Sequence, residues 1–477
     1  MPAGPVVVED PMPHVARGVT LLRGLGLGAG DRVVVMLGND LPTFGVLAAA
    51  CLEGVVAVPL PTDAGSGELA EIVTDARPRA VVHDPTLTRA AATLPDLPAG
   101  VVATVAAWRP SDLLGLAATE PANDRPLTRP MTYTSGTTGR RKGVHVGVRD
   151  AGWGSAWIDD ELRAFDRRHG DRHLVVAPLH HAAPFRFALV TALTGGHLGV
   201  LPRFSTDHVR EALRTMRPTS TFCVPTHLSR LLAARDLSAD DLASLSLLAH
   251  AGAPCPEAVK RAILEPAPDG AVWEFYGATE GQFTVCPPDV WRAAPGSVGR
   301  ARPGVRLSIR DDRGGPQPSG TIGTIWAEVP DHARFRYWDD DARTAAAWDG
   351  DAFTVGDLGW LDDAGRLTLA GRDGDLILTG GVNVYPAEVE RVLLGVEGVA
   401  EAAVFGVPDD DRGEIVVAAV VPSPGHRLAA EPLRSLLAAA LTRSKVPARV
   451  MVVDDLPRTA MGKVRRVDLA AELGGGA

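Results

Sequence analysis

The sequence predicts an α/β fold in which a large N-terminal domain of parallel sheets and helices includes a β-rich subdomain and precedes a small α+β C-terminal domain. Three observations support this prediction. Short, continuously apolar runs alternate with helix-like stretches from about residue 15 to 330. Strand- and turn-rich sequence follows "GGPQPSGTIG" (314–323), and a compact mixture of helices and strands follows Arg372. The 477 residues are enough for about three domains.

The apolar runs of the first part have the length and composition of buried strands. They are "DRVVVMLGN" (31–39), "VVAVPL" (55–60), "AVVHD" (80–84), "HLVVAP" (173–178), "HLGVLPRF" (197–204) and "STFCVP" (220–225). The stretches predicted as helices between them are 44–54, 185–196 and 229–237. Buried strands that alternate with helices are typical of parallel sheets covered on both faces.

The later segments differ in character. "GTIWAEV" and "FTVGDLGWLDDAGRLTLAGR" are strand-rich and predict a β-rich subdomain over about residues 315–371. The elements predicted after it are helices over 386–396 and 432–443 and strands over 399–407 and 414–421. We therefore expect a large domain over residues 1–371 and a small domain over residues 372–477.

The composition argues against several classes of protein. With 45% hydrophobic and 22% charged residues the chain resembles an ordinary soluble protein, and its net charge of −10 gives no reason to expect a nucleic acid or an anionic membrane as partner. No apolar run approaches the ~18–20 residues of a membrane span, and the N-terminus does not resemble a signal peptide. The four cysteines form no CxxC pair, which argues against a zinc site. A cytoplasmic location is expected.

Lysine is rare in this chain. Of 48 basic residues only Lys142, Lys260, Lys445 and Lys463 are lysines. A mutational bias that converts lysine codons to arginine would account for this composition. A lysine that survives such a bias is expected where a compact ammonium group is needed.

The stretch "TYTSGTTGRRKG" (132–143) combines glycines and hydroxyl side chains with three basic residues. Flexible glycines let backbone N–H groups turn toward an anion, and hydroxyls and cations complete such a cradle. The spacing is not the GxxxxGK[ST] of P-loop nucleotide hydrolases, because Gly136 and Gly139 are too close together. The stretch therefore predicts a phosphate-binding loop on another scaffold.

Further motifs follow along the chain. They are "HAGAPCP" (250–256), "EFYGATEG" (274–281), "FTVGDLGWLDDAGRLTLAGRDGD" (353–375) and "DLPRTAMGKVRR" (455–466). Together with the phosphate loop they resemble the adenylate-forming superfamily of acyl-CoA synthetases, luciferases and peptide-synthetase adenylation domains, over nearly the whole chain. The context is most similar to the fatty-acyl and aryl CoA-ligase branch. The resemblance implies an ATP-dependent carboxylate–CoA ligase that uses ATP, Mg²⁺ and coenzyme A, as a monomer or homodimer.

The resemblance also implies a nucleotide site. The positions that match the family's phosphate loop are Thr134, Ser135, Gly136, Thr137, Thr138, Gly139 and Lys142, and Arg141 replaces the usual proline. The positions that match its adenine, ribose and α-phosphate contacts are Gly252, Ala253, Pro254, Tyr276, Gly277, Thr279, Asp357 and Arg372. Tyr276 would stack on adenine and Asp357 would accept ribose hydroxyl groups. Glu280 would supply an oxygen ligand for Mg²⁺.

The catalytic residues implied by the resemblance are Lys463, at the carboxylate and α-phosphate, and His181, beside the acyl carboxylate. The implied acyl pocket comprises His181, Phe185, Arg186, Val224, Pro225, Ala251 and Gly277, with Phe187 and His227 as further candidates. Phe185 and Phe187 have helical spacing, so packing in the hydrophobic core is the alternative for both. Arg186 would meet a polar group of the acid. An apolar or bulky aryl, fatty or terpenoid-like acid is expected.

Two further features concern movement and the acceptor. Arg372 marks the family's hinge between a large domain and a mobile small domain, and Gly374 stands where many members carry aspartate or lysine. Gly380 and Gly381 would let the pantetheine arm of CoA pass.

Three alternatives to a CoA ligase stay open. An adenylating enzyme that loads an acyl carrier protein would use the same chemistry with a different acceptor. A non-catalytic acyl or nucleotide sensor would share the fold, although Lys142, Glu280, Asp357 and Lys463 argue against it. A luciferase-like oxygenase has little support.

Overall fold

The computed structural model describes residues 8–87, 104–134, 141–234, 237–380, 382–409, 412–458 and 464–473. The first parallel sheet lies near the N-terminus. Its elements are α1 (Met12–Gly24), β1 (Arg32–Met36), α2 (Leu41–Glu53), β2 (Val56–Pro59), α3 (Ser66–Ala76), β3 (Ala80–His83), β4 (Thr104–Ala107) and α4 (Pro110–Leu114). The strands lie in the order β2-β1-β3-β4, and all neighbouring pairs are parallel.

The second parallel sheet carries the loops with the motifs "HAGAPCP" and "EFYGATEG". The elements of this region are β5 (Thr132–Thr134), β6 (Lys142–His145), α5 (Ala151–Ala164), β7 (Arg172–Val175), α6 (Ala182–Leu193), β8 (His197–Val200), α7 (Thr206–Met216), β9 (Ser220–Cys223), α8 (Pro225–Ala233), α9 (Ala239–Leu242), β10 (Leu247–His250), α10 (Glu257–Leu264) and β11 (Val272–Glu274). The sheet order is β11-β10-β9-β7-β8. One hydrophobic core joins the two sheets through α2 and α6, in which Leu47 and Leu189 are both buried.

An antiparallel sheet follows. The elements are β12 (Thr284–Val285), α11 (Pro288–Ala293), β13 (Arg300–Ala301), β14 (Arg306–Arg310), β15 (Gly323–Glu328), β16 (Arg336–Tyr337), α12 (Asp341–Ala347), β17 (Trp348–Asp349), β18 (Ala352–Phe353), β19 (Asp357–Leu361) and β20 (Leu367–Arg372). Strands β17, β18, β15, β19 and β20 are neighbours in that order, and β14 pairs with β15. The sheet thus includes a strand upstream of residue 315, where the predicted β-rich subdomain began. Strand β16 instead joins β6 and β5.

The C-terminal elements form a mixed sheet with helices. They are β21 (Ile377–Thr379), β22 (Val382–Val384), α13 (Pro386–Leu394), β23 (Val399–Asp409), β24 (Gly413–Pro422), α14 (Ala430–Ala440), β25 (Arg449–Val452) and α15 (Arg466–Leu473). Its two longest strands, β23 and β24, form an antiparallel pair, and β25 runs parallel to β24. Among the described residues, no helix combines the length and apolarity needed to cross a bilayer.

The fold class predicted from the sequence is confirmed. Both N-terminal sheets are parallel and flanked by helices, and β-rich and α+β segments follow in the predicted order. Every apolar run quoted above overlaps a strand, because strands covered on both faces of a sheet consist mainly of apolar residues.

Candidate active site

Loops that follow strands of the second sheet meet at its carboxyl edge. His181 lies after β7, Val224 after β9, Gly252 after β10 and Tyr276 after β11. The backbone of Gly252 has a φ of +97°, which favours glycine, and a Cβ there would lie 3.6 Å from Val224 Cγ1. The loops after β9 and β10 are therefore in contact. In open parallel sheets, ligands bind at this edge.

A tight turn after β11 carries Thr279 and Glu280. The Phe283 N–H donates to the Tyr276 carbonyl at 2.9 Å and so closes the turn. A Cβ at Gly277 would lie 2.8 Å from Gln282 Cα, and the turn therefore requires glycine at this position. The turn holds Glu280 in a buried position beside the loops of the second sheet.

Lys142, Glu280 and Tyr337 form one cluster. The Lys142 Nζ donates to Glu280 Oε1 at 2.7 Å and to the Tyr337 hydroxyl at 3.0 Å. The Tyr337 hydroxyl donates to the same Glu280 oxygen at 2.8 Å. The Glu280 side chain is 4% exposed. Burial, and then the Glu280 carboxylate, raise the pKa of Tyr337 well above its usual range, so that Tyr337 stays a neutral donor.

Tyr276, Asp357 and Arg372 form a second cluster. Tyr276 donates its hydroxyl to Asp357 Oδ2 at 2.5 Å, and Arg372 Nε donates to Asp357 Oδ1 at 2.6 Å. Asp357 is 7% exposed. Burial, followed by Asp357, raises the pKa of Tyr276. One face of the Tyr276 ring stacks on Phe283, with centroids 4.9 Å apart.

The two clusters are neighbours. Burial is the main cause that raises the pKa of both tyrosines. The Glu280 carboxylate adds to the rise for Tyr276, and Arg372 partly opposes the rise for Tyr337. The strand pairing explains part of this proximity, because Tyr337 of β16 lies opposite Val144 of β6 and so beside Lys142.

The described residues on either side of the phosphate loop are anchored to α3. The Tyr133 hydroxyl donates to Asp75 Oδ2 at 2.6 Å. On the other side, the Arg141 Nη1 lies 3.0 Å from Glu68 Oε1. The replacement of the family's proline by arginine thus introduces an ion pair with α3. Thr134 Oγ1 is buried and has no hydrogen-bond partner among the described residues.

Several predicted site residues lie outside the described residues. They are Ser135, Gly136, Thr137, Thr138, Gly139, Gly381 and Lys463. Their predicted roles stay predictions.

His181 and His180 lie side by side at the start of α6, with ring centroids 4.0 Å apart. The Nε2 atoms of both rings are buried and lack a hydrogen-bond partner among the described residues. Burial, and then the neighbouring His180, lower the pKa of His181 to about 2. A neutral imidazole with an unpaired nitrogen can donate to or accept from a ligand.

The other acyl-pocket candidates differ in position. Val224 and Ala251 lie with Gly252 at the carboxyl edge, and Pro225 begins α8. Phe185 is 3% exposed and packs on Phe44, so the structure places it in the core between α2 and α6. Phe187 also belongs to a buried cluster. Phe185 and Phe187 therefore pack in the hydrophobic core, which was the alternative to a role in the acyl pocket.

Arg186 has an acidic partner within the protein. Its Nη1 donates to Glu161 Oε1 at 3.4 Å, and Glu161 also accepts from Arg302 at 3.2 Å. Sequence analysis missed Glu161 because its position on α5 carries no recognisable motif. Tyr337 was missed for the same reason, since only the pairing of β16 with β6 brings it to Lys142.

The predicted hinge and CoA-passage residues follow β20. Arg372 ends this strand, and exposed Gly374 lies in a short 3-10 turn over Asp373–Asp375. Gly380 has a φ of +56° and follows Thr379, which pairs with Val382. A positive φ is typical of such two-residue hairpin turns.

Four half-buried histidines predict loss of stability in acid. Burial is the largest cause that lowers the pKa of His145, His180 and His227 to about 4 and of His181 to about 2. Because each folded pKa lies below the unfolded value, the unfolded chain binds more protons below about pH 6.5. Each of these histidines should therefore lower the free energy of unfolding by up to about 1.4 kcal/mol for each pH unit as the pH decreases toward 4.

Urea unfolding measured from about pH 7.5 to about pH 5 checks this expectation. His227→Phe should reduce the slope, since the ring stacks on Phe204 and phenylalanine does not titrate. His197→Phe, at an exposed position, serves as the control. A free energy of unfolding that stays constant over this range would contradict the prediction.

Comparisons with known proteins identify the family of the chain. The AMP-binding enzyme family matches residues 14–337, and the AMP-binding enzyme C-terminal domain matches residues 388–463. The chain is 36% identical to an indoleacetate–CoA ligase of Aromatoleum aromaticum over 342 residues, which cover 71% of this chain and 66% of that ligase. It is 31% identical to ScoC, a fatty acid–[acyl-carrier-protein] ligase of Streptomyces coeruleorubidus, over 94% of this chain and 88% of ScoC.

A solved structure extends the comparison to three dimensions. ATP-bound MatB from Rhodopseudomonas palustris matches with a TM-score of 0.87 and 31% identity, over 98% of this chain and 93% of MatB. The family match spans more than half of the residues, and the similarity continues along nearly the whole length. The chain therefore belongs to the AMP-binding enzyme family, and the predicted resemblance to adenylate-forming enzymes is confirmed.

Proposed function

We propose that this protein is an ATP-dependent carboxylate–CoA ligase that makes an acyl thioester through an acyl-AMP intermediate. The observation that carries the proposal is the convergence of two side-chain clusters, Lys142–Glu280–Tyr337 and Tyr276–Asp357–Arg372, beside the carboxyl edge of a parallel sheet. Cations, a buried carboxylate acceptor and unpaired polar atoms together suit a nucleotide and an acid.

The nucleotide would occupy this region as follows. Asp357 would accept hydrogen bonds from the ribose hydroxyl groups. Adenine would lie between Tyr276 and the backbone near Gly252, Ala253 and Pro254. Thr279 and Thr134 would donate to phosphate oxygens. The buried Oγ1 of Thr134, which has no hydrogen-bond partner in the described part of the chain, supports this role. Lys142 would turn from Glu280 to the phosphates and offset their charge.

Magnesium fits this set of residues through one ligand. Mg²⁺ commonly binds one or two carboxylates together with substrate phosphates and water, so a single carboxylate is sufficient. Both hydrogen bonds described for Glu280 use Oε1, and its carboxylate would hold the ion. When bound, Mg²⁺ would neutralise phosphate charge. Within the described part of the chain, no group of three or more histidines, cysteines or acidic residues could form a separate metal site.

In the first half-reaction a carboxylate oxygen of the acid attacks the α-phosphorus of ATP. A new P–O bond forms, the bond to the β-phosphate breaks, and pyrophosphate leaves. Lys463 and Lys142 would stabilise the charge that passes between these oxygens. His181 would hold the acid, because its unpaired Nε2 is neutral and can donate to a carboxylate.

In the second half-reaction the CoA thiolate attacks the acyl carbon, and AMP leaves. A rotation of residues 372–477 about Arg372 and Gly374 would withdraw Lys463 and bring the Gly380–Gly381 hairpin to the site. The open surroundings of Gly374 support a hinge, since a Cβ at this residue would meet nothing within 4 Å.

The acid is proposed to be apolar or aromatic. Two small residues at the carboxyl edge, Ala251 and Gly252, would suit a bulky group. The aromatic cluster of Phe187, Phe222 and Phe275 lies behind the strand ends. Arg186 already has Glu161 as an acidic partner, so the substrate does not need to supply a second negative group.

A carrier protein is a second candidate acceptor, because the similarity to ScoC extends over most of both chains. Release of pyrophosphate should be measured with a panel of aryl, fatty and short-chain acids, with CoA, with a holo-acyl carrier protein, or with neither. We expect acid-dependent pyrophosphate release and thioester formation with CoA. Thioester only with the carrier protein would favour the second candidate. ATP binding without pyrophosphate release for any acid would contradict both and favour a sensor.

A further inference from the structure

A buried ion cluster lies directly behind the proposed nucleotide loops. Lys260 projects from α10 and is 0% exposed. Its Nζ contacts His250 Nε2 and lies 3.5 Å from Glu274 Oε2. His250 is the last residue of β10 and Glu274 the last of β11, and the two residues are paired in register. Trp291 lies beside the ammonium, 5.9 Å from its Nζ to the ring centroid.

Stability does not account for this cluster. A fully buried ion must be paired, and well-packed apolar residues of similar volume are often equally or more stabilising. Burial, and then Lys260, lower the pKa of His250 well below its usual value, so the ring is a neutral acceptor of the ammonium hydrogen. The chain has only four lysines, and one of them, Lys260, is fully buried. A geometric role is the remaining physical reason.

The cluster connects two strand ends. His250 directly precedes the Ala251–Gly252 loop, and Glu274 lies two residues before Tyr276. The Glu274 N–H donates to the Cys286 carbonyl at 3.0 Å and the Cys286 N–H donates back at 2.7 Å, so the backbone of Glu274 is held from the other side. The Lys260 ammonium connects the two side chains across β10 and β11.

We infer that Lys260 is a positioning residue, which sets the spacing between the loop after β10 and the turn after β11 and thereby the fit of ATP. This inference rests on the proposed function, since both loops are assigned to the nucleotide there. Lys260 itself touches no ligand. A small error in the placement of groups that hold a substrate can reduce rates by about 10²-fold.

The test separates position from stability. Lys260→Met removes the ammonium and leaves the buried carboxyl group of Glu274 without its cation, and the double variant Lys260→Met/Glu274→Gln replaces that carboxyl group by a neutral amide as well. We expect both variants to bind ATP about tenfold or more weakly, measured by calorimetric titration without acid or CoA. The double variant should regain most of the thermal stability lost in the single variant. In coupled assays the KM for ATP should rise while the KM for CoA stays unchanged.

Arg261→Met is the matched control. Arg261 lies next in sequence on α10, its side chain is 60% exposed, and it pairs with Glu257. Exposed pairs of this kind contribute little, so ATP affinity should not change. A double variant with wild-type ATP affinity would overturn the positioning role alone. A wild-type protein that does not bind ATP would overturn the proposed function itself.

Discussion

Lys463→Ala is expected to nearly abolish acyl-adenylate formation and to leave the conversion of supplied acyl-AMP into the thioester largely intact. A preorganised cation at a charge that develops in the transition state contributes several kcal/mol, and its removal costs roughly 10²–10³-fold in rate. The second half-reaction starts from an acid that already carries AMP as a good leaving group. We therefore expect the ammonium group to be needed for the first step and not for the second.

The described neighbours of Lys463 offer a control. Val464 pairs with Arg458, and the Arg465 N–H donates to the Pro457 carbonyl at 2.8 Å. Arg465 is exposed and its Nη1 lies 2.9 Å from Asp468 Oδ2. Arg465→Ala should leave both half-reactions close to wild type, because exposed pairs contribute little. The first step is measured by acid-dependent exchange of pyrophosphate into ATP. Equal losses in both half-reactions of the Lys463 variant would contradict the separation of roles.

Asp357→Asn is expected to weaken ATP binding and to remove discrimination between ATP and its 2′- and 3′-deoxy analogues. The carboxylate accepts from Tyr276 and Arg372 and is buried, so it is a fixed charged acceptor. Hydrogen bonds to charged groups contribute about 1.5–3 kcal/mol, which corresponds to roughly 10- to 100-fold in affinity. The amide keeps the size of the side chain but loses its charge.

The comparison requires each nucleotide to be titrated into both proteins. Asp362→Asn is the matched control, because Asp362 lies in the β19–β20 hairpin and binds Arg366 rather than a ligand. Wild type should prefer ATP over the deoxy analogues, and the Asp357 variant should bind them with similar affinities. If the Asp357 variant retained the full preference, another residue would bind the ribose.

Local sequence was sufficient for the fold class. The apolar runs mark strands such as β1 and β9 because strands covered on both faces consist mainly of apolar residues. The helices and the order of the parallel, β-rich and α+β segments follow from the same patterns. The start of the antiparallel sheet differs from the expectation, since β14 lies before the glycine- and proline-rich turn and pairs with β15 beyond it.

Only part of the candidate site could be predicted from the sequence. Lys142, Glu280, Asp357 and Arg372 stand in recognisable motifs, and the structure brings them into two adjoining clusters. Tyr337, Glu161 and the Lys260–His250–Glu274 group depend on pairings between distant segments, which no local pattern reveals. Helical spacing alone could not decide whether Phe185 lines a pocket or the core.

The scarcity of lysine makes this protein well suited to chemical footprinting. Among the described lysines, Lys142 and Lys445 each pair with a glutamate, and Lys260 is sealed within the interior. An amine-reactive reagent therefore meets few competing side chains besides Lys463. Mass spectrometry of the modified peptides, with and without nucleotide, would follow the accessibility of one functional amine through the catalytic cycle.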